Sequence, residues 1–313
     1  MKENLFILIG PTAIGKTSLS IDLAKKLNGE IISADSMQIY KYMDIGTAKV
    51  IEEEMDNIPH YMIDIIPPDE GFTVADFKKN ATEYIRDISK RGKLPMVVGG
   101  TGLYINSLIY DLNFGQVPPD DKVRNKYELM AEEFGNEYLH NELSKIDRIS
   151  SERISLKDRK RIIRALEVYE VTGKTMSEHY KNFRKPNDDY NLAMICLNMD
   201  RAMLYKRINK RVDIMIDNGL IDEVKNILNM GYSKDLVALK AIGYKEIIMY
   251  LDNLISLEDA IELIKKGSRN YAKRQLTWFR RDNRIKWVDV DSFNSQNELS
   301  NYIKEYVNNT LKD

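Results

Sequence analysis

Gly10-Pro11-Thr12-Ala13-Ile14-Gly15-Lys16-Thr17 obeys the pattern G-x-x-x-x-G-K-[ST] of a phosphate-binding loop. An apolar run, Leu5 to Ile9, leads into it and an amphipathic stretch, Ser18 to Leu27, leads out. That setting predicts a buried strand, a glycine-rich turn and a helix, the start of a P-loop α/β core. The loop's backbone N–H groups are expected to converge on a diphosphate, with Lys16 at its terminal phosphates and the Thr17 hydroxyl on a Mg2+ ion. The pattern does not say which diphosphate. ATP is the commonest occupant of such a loop.

The chain has 313 residues, 43% of them hydrophobic, enough for roughly two domains with a buried core. Its net charge of -1 hides a local concentration of basic residues, so a polyanionic partner is not excluded. Cys196 is the single cysteine, which excludes an internal disulfide and a cysteine-based zinc site and suits a reducing compartment. The opening Met-Lys-Glu-Asn and the five apolar residues after it are too short for a signal-peptide core, and no stretch resembles a membrane helix. A cytoplasmic protein with no membrane association is expected.

Further along, Glu30 to Ala34 reads as a second parallel strand ending at Asp35-Ser36, placing Asp35 to Tyr40 beside the phosphate loop. A strand is expected at His60 to Ile65, a helix from about Val74 to Lys90, and a buried strand at Leu94 to Val98. That last strand runs into Gly99-Gly100-Thr101-Gly102, where a P-loop hydrolase often carries a metal-binding Asp. The substitution weakens a hydrolase reading.

The α/β alternation stops after Asp111. Val117-Pro118-Pro119 marks a break, and everything to about Lys181 reads as helix. The expected organisation is a first part of the P-loop core at 1–113, an all-helical insertion domain at 114–186, and completion of the core with C-terminal helices at 187–313. Within the insert, Lys157, Arg159, Lys160, Arg161 and Arg164 stand against one acid, Asp158; a phosphate-backbone contact and a solvated helix face both fit. The return strand is expected at Leu192 to Leu197 and a closing helix at Ser295 to Leu311. Lys265 to Lys286 holds nine Lys or Arg and one acid, with Tyr271, Gln275, Trp278 and Phe279 at helical spacing, which suggests core aromatics under an outer basic face.

A Mg2+-neutralised diphosphate can be a leaving group as well as a phosphoryl donor. A carboxylate at the neighbouring strand end, Asp35, then suits a general base on the incoming nucleophile, although an Asx cap or a metal-shell carboxylate fits the same residue. The residues alone support a Mg2+-diphosphate enzyme with nucleic-acid contacts. They do not name the group transferred.

Several segments, in order over nearly the whole chain, carry a resemblance. They are the phosphate loop, Asp35-Ser36-x-Gln38-x-Tyr40, Gly46-Thr47-Ala48-Lys49, Val98 to Tyr104, Arg161-x-x-Arg164-Ala165-Leu166-Glu167, Gly243-Tyr244-Lys245-Glu246 and Tyr271 to Arg280. Together they resemble the bacterial tRNA dimethylallyltransferases, also called tRNA isopentenyltransferases. The resemblance implies transfer of a dimethylallyl group from dimethylallyl diphosphate to N6 of the adenosine just 3′ of the anticodon, with release of diphosphate. It implies that Gly10 to Thr17 hold the donor's diphosphate with Mg2+ on Thr17, that Asp35 is the base, that Thr101 lines the catalytic channel and that Arg211 assists the leaving group. For the tRNA anticodon stem-loop it implies contacts from Asp35, Ser36, Met37, Gln38 and Thr101 around an extruded adenine. Further contacts are implied from Arg124, Arg159, Lys160, Arg161, Ile162 and Ile163 of the insert and from Lys273, Arg274 and Arg280.

This chain departs from the family pattern at Val50, Tyr61, Lys157 and Lys240, none of them a proposed catalytic group. No protein partner is evident, and a monomer is expected. A small-molecule P-loop kinase, a prenyltransferase acting on free adenine nucleotides and a non-catalytic RNA-binding protein are the alternatives. The basic insert speaks against the first two, and the combination of Thr17, Asp35 and Thr101 against the last.

Overall fold

The computed structural model describes residues 2–112, 120–179 and 185–312. Two compact units divide the chain: Met1–Leu108 with Asp188–Asp313, and Ile109–Asn187. The predicted break at Val117 to Pro119 and residues 180–184, where the expected helical run ends and the connection back to the sheet begins, lie outside the described residues.

The first unit is built on a six-stranded parallel sheet. Its strands are β1 (Glu3–Ile9), β2 (Gly29–Ala34), β3 (His60–Tyr61), β4 (Leu94–Gly99), β5 (Tyr190–Asn198) and β6 (Lys286–Asp289), in spatial order β3-β2-β4-β1-β5-β6. Leu5 to Ile9 of β1 are fully buried. A strand covered on both faces needs no polar alternation, which is why the lead-in to the phosphate loop reads as one apolar run. Around the sheet lie α1 (Lys16–Leu27), α2 (Glu52–Met55), α3 (Val74–Lys90) and α4 (Gly102–Ile109). Thr73 and Asp76 form a capping box that starts α3 at the predicted residue.

Register sets up the site. Ile9 and Ala34 both pair with Gly99, so Gly10, Asp35 and Gly100 leave the sheet side by side at its carboxyl edge. Parallel sheets bind ligands outside that edge, where the direction of chain connection reverses.

The strand expected over His60 to Ile65 is shorter than predicted. Only His60 and Tyr61 pair with β2, because Met62 and Asp64 take positive φ angles of 68° and 54°. The Ile65 and Ile66 amides then donate to Ile39 O instead of continuing the ladder.

The second unit, among its described residues, holds α5 (Asp121–Ile146), α6 (Arg148–Arg153), α7 (Arg159–Thr172) and α8 (Met176–His179). Tyr110 and Pro186 of the same unit form an isolated antiparallel bridge. α5 is broken at Gly135, whose φ of 82° a residue with Cβ rarely takes. Ala131, Leu139 and Leu143 of α5 pack on Ile162, Ile163, Ala165 and Leu166 of α7. A fully buried carboxylate, Glu167, accepts from Arg164 (2.7 Å), Arg124 (3.0 Å) and the Asp120 amide (2.7 Å), tying α7 to the start of α5.

The chain returns to the first unit with α9 (Arg201–Asp217), α10 (Leu220–Asn229), α11 (Tyr244–Leu251), α12 (Leu257–Phe279) and α13 (Gln296–Thr310). Val212, Leu220, Val224, Ile227, Tyr244, Ile247 and Ile264 from the first four of these form an apolar core with Ile39, Tyr40 and Met43. α13 packs on α1, with its Leu299, Ile303 and Val307 in the core that covers the sheet. None of the described helices is long and apolar enough to cross a membrane.

Candidate active site

The phosphate loop leaves β1 at Gly10 and enters α1 through Gly15, whose φ of 100° is the reason glycine is needed there. Ile14 is buried in the core and anchors the loop's centre, while Ala13 sits at a φ of 64°. No side chain caps α1, so the first amides of the helix remain for an anion. Lys16 folds back on the loop, its Nζ donating to Gly10 O (2.9 Å) and Pro11 O (2.8 Å). Burial, and then the charge of Arg211, lowers the Lys16 ammonium to about 8, with Asp35 and Cys196 pulling the other way. A bound diphosphate would restore the compensating negative charge. Thr17 lies exposed on the first turn of α1.

Asp35 stands at the end of β2, where its Oδ1 accepts from the Met37 amide (2.9 Å) in an Asx turn. One carboxylate oxygen thus orients the side chain and the other stays available. Beside it, Thr101 Oγ1 accepts from the Ser36 amide (3.1 Å) and lies 3.4 Å from Ser36 Oγ. The glycines around Thr101 are there for closeness. A Cβ at Gly99 would lie 2.2 Å from Ala34 O, at Gly100 2.1 Å from Gln275 Nε2, and at Gly102 2.3 Å from the Trp278 ring. Gly99, Gly100 and Gly102 are what lets β2, β4 and α12 close on one point.

Arg211 projects from α9 and donates to Thr12 Oγ1 (3.4 Å). Burial lowers its guanidinium below the usual range, opposed by the Asp35 charge. Arg207, one helical turn earlier, reaches the other end of the loop, its Nη2 3.4 Å from where a Gly15 Cβ would stand. Tyr271 of α12 is held close to the same carboxylate. Burial and then Asp35 push its phenol up to about 12, against hydrogen bonds with Thr101 and Gln275.

Of these groups Thr12, Asp35, Ser36, Arg211 and Tyr271 line a cavity of about 390 Å3, whereas Lys16 and Thr101 are not among its lining residues. Its lining combines polar groups, Asp35, Ser36, Thr12, Arg211 and Arg274 among them, with apolar ones, Ile208, Val212, Met215 and Ile264. Ile208, Arg211, Val212 and Met215 follow helical spacing, so one face of α9 supplies both a cation and an apolar wall.

Residues 38–282 match the family model described as IPP transferase. The chain is 52% identical over 305 residues to the tRNA dimethylallyltransferase of Acetivibrio thermocellus, with 97% of each chain covered. It is 46% identical to the solved tRNA isopentenylpyrophosphate transferase of Bacillus halodurans, with 99% of this chain and 98% of that one covered and a TM-score of 0.72. A eukaryotic dimethylallyltransferase solved acting on tRNA is 30% identical, with a TM-score of 0.78 over 92% of this chain and 74% of that chain. The chain belongs to the IPP transferase family.

Not every residue expected at the active site of this IPP transferase is free to act there. Gln38 is engaged at both ends of its amide, accepting from Ser33 Oγ (3.1 Å) and donating to the carbonyls of Thr47 and Ala48 (both 3.3 Å). The Thr12 amide is taken by Gln275 Oε1 (3.0 Å). Ile162 and Ile163, expected at the tRNA, are 0% and 4% exposed; their side chains form the core under α7 and cannot reach a ligand. Arg124 is paired with Glu167, and Arg159 with Asn136 Oδ1 (2.7 Å) and Glu128. Lys160 and Arg161 are exposed, the latter 71% so with one long contact to Asp158. Lys273, Arg274 and Arg280 form an exposed basic face on and just after α12, with Arg274 over the Tyr271 ring and Arg280 over Trp287.

Sequence reasoning missed Glu223 and the work of Gln275. Glu223 accepts from the amides of Asp44, Ile45 and Gly46 and from the Tyr244 hydroxyl, fixing the loop that puts Gly46 and Thr47 on the cavity. Nothing in its local surroundings distinguishes it from any acid in the first turn of a helix. Gln275 carried a signal, a polar residue in an otherwise buried stripe.

Proposed function

We propose that this IPP transferase moves a dimethylallyl group from dimethylallyl diphosphate to N6 of the adenosine 3′-adjacent to the anticodon of tRNA. The observation that carries the reading is that Asp35 and Arg211 line one cavity together with the apolar Ile208, Val212, Met215 and Ile264. A five-carbon prenyl tail next to its diphosphate calls for apolar lining of this kind. The loop and α1 amides with Lys16 hold the diphosphate, and the tail lies against Ile208, Val212, Met215 and Ile264. The N6 lone pair attacks C1 of the donor as its C1–O bond breaks; the bonding electrons leave on diphosphate, and the N6 proton passes to the free oxygen of Asp35. Arg211 and Lys16 stabilise the charge gathering on the departing oxygens. Thr101 orients the Ser36 turn on which the acceptor rests.

Mg2+ fits this donor set. It keeps several waters and prefers phosphate oxygens with only one or two protein oxygens, and among the described residues no group of three or more His, Cys, Asp or Glu forms a cage. The Thr17 hydroxyl would hold the ion, which supplies charge neutralisation on the diphosphate. Lys160, Arg161, Lys273, Arg274 and Arg280 are the exposed cations offered to tRNA phosphates, with the protein acting as a cytoplasmic monomer.

Purified protein is incubated with Mg2+, unmodified tRNA and either dimethylallyl diphosphate or ATP, and the nucleosides are read by mass spectrometry. Prenylated adenosine with the prenyl donor alone is the expected product. ATP consumption without a modified nucleoside would return the loop to a kinase.

A further inference from the structure

Gln275 is 6% exposed, and its amide joins two segments far apart in sequence. Its Oε1 accepts from the Thr12 amide at 3.0 Å, and its Nε2 donates to Gly100 O at 3.1 Å. The orientation is unambiguous: an N–H can only donate and a carbonyl can only accept, so one amide end fits each partner. Thr12 belongs to the loop read as the donor site, and its hydroxyl also receives Arg211. Gly100 precedes Thr101, which holds the Ser36 turn read as the acceptor site. The 2.1 Å approach of Nε2 to a Gly100 Cβ position shows that the turn is shaped around this side chain.

We infer that Gln275 is a positioning residue that locks the donor loop and the acceptor turn in register, so that the leaving diphosphate and the incoming nucleophile meet at reacting distance. The inference rests on the prenyl-transfer reading for its chemical consequence, but the lock itself is a property of the loop. A lone apolar substitute leaves the Thr12 N–H and Gly100 O without partners and lets the two segments drift. Reactions of this kind lose about 10²-fold in rate for a displacement near 1 Å.

Gln275→Met and Gln275→Glu are compared with wild type in three assays. The first is the rate of tRNA prenylation at saturating substrates across pH 5.5 to 8.5, the second tRNA affinity, and the third calorimetric binding of inorganic diphosphate with Mg2+; thermal melting confirms folding. The Met variant is expected to lose about 10- to 100-fold in kcat at every pH, with tRNA affinity within about two-fold of wild type. The Glu variant accepts from Thr12 in either form but donates to Gly100 O only when protonated. Its rate relative to wild type is therefore expected to rise as pH falls, a recovery that a purely structural role does not produce. Diphosphate binding is expected to weaken at least about five-fold in the Met variant, because the loop has lost its tether. Folded variants with wild-type kcat and wild-type diphosphate affinity would overturn the inference, as would a Glu variant whose deficit is the same at every pH. If the wild type itself fails to prenylate tRNA, the functional reading falls, and the diphosphate assay alone decides whether Gln275 organises the loop.

Discussion

At the carboxyl edge of the sheet and in the helical insert, basic residues serve opposite ends. Lys16 and Arg211 at the edge are withdrawn from water, their charged forms disfavoured by burial, with Asp35 the nearby carboxylate. Such cations are held ready for an anion from outside. In the insert, Arg124 and Arg164 converge on the fully buried Glu167, and Arg159 is engaged by Asn136 and Glu128. There the anion is already part of the protein. Density of positive charge in a sequence is thus a poor guide to ligand contact; what matters is whether a carboxylate has been built opposite it.

Substitutions in the two regions should fail in different ways. Arg211→Met is expected to lower kcat by about 10²- to 10³-fold, the usual cost of removing one group that stabilises transition-state charge, with little change in melting temperature. A large fall in melting temperature with kcat retained would move Arg211 to the insert's kind of role. Arg164→Met should do the reverse, destabilising the protein by about 1–3 kcal/mol in urea unfolding because the buried Glu167 loses a partner. Burial pushes the Glu167 carboxyl up, but Arg164, the Asp120 amide and Arg124 together hold it below the usual range. Its contribution is present above the ordinary glutamate pKa and is lost as pH falls through the depressed value, and the Met variant should show that loss beginning at higher pH.

Lys16 sharpens the contrast through pH. Its ammonium is lowered to about 8 in the ligand-free protein, so holding it charged costs stability below pH 8, and that cost is relieved as pH rises toward 10.5. On the proposed function, binding of dimethylallyl diphosphate needs the charged form. Affinity measured by calorimetry should be flat below pH 8 and fall by up to about tenfold per pH unit above it. A flat profile to pH 9.5 would mean that Lys16 does not meet the diphosphate. The smallest effect is expected on the insert surface: Arg161→Ala should reduce the salt dependence of tRNA binding by about one unit of slope, and the paired Arg124→Ala by less. Equal changes at both positions would erase the distinction between free and occupied cations.

Much of this was legible in the sequence because it is local. The apolar run before Gly10, the glycine turn of the phosphate loop with its positive φ at Gly15, and the helical spacing of apolar residues from Val74 to Lys90 each act within a few residues. Asp35 could be placed beside the loop because parallel strands deliver their ends to one edge, whereas Thr101 was placed there by the family resemblance. The strand expected to run on to Ile65 failed for a local reason too, the left-handed turns at Met62 and Asp64. What remained hidden was long-range pairing. That Glu167 neutralises Arg124 and that Gln275 reaches both Thr12 and Gly100 depend on which elements pack together. Ile162 and Ile163 show the same limit, since a basic helix must still bury one face, and these residues are on it.

On the proposed function the chemistry lies at the sheet edge, with Asp35 as the base, while the insert and the basic face of α12 serve tRNA binding. Single-turnover prenyl transfer by Asp35→Asn, with saturating tRNA and dimethylallyl diphosphate and with tRNA affinity measured on the same preparation, tests it most directly. A rate about 10²- to 10⁴-fold below wild type with tRNA affinity within about two-fold is the predicted result. An unchanged rate, or a rate that falls only in proportion to lost tRNA binding, would contradict it.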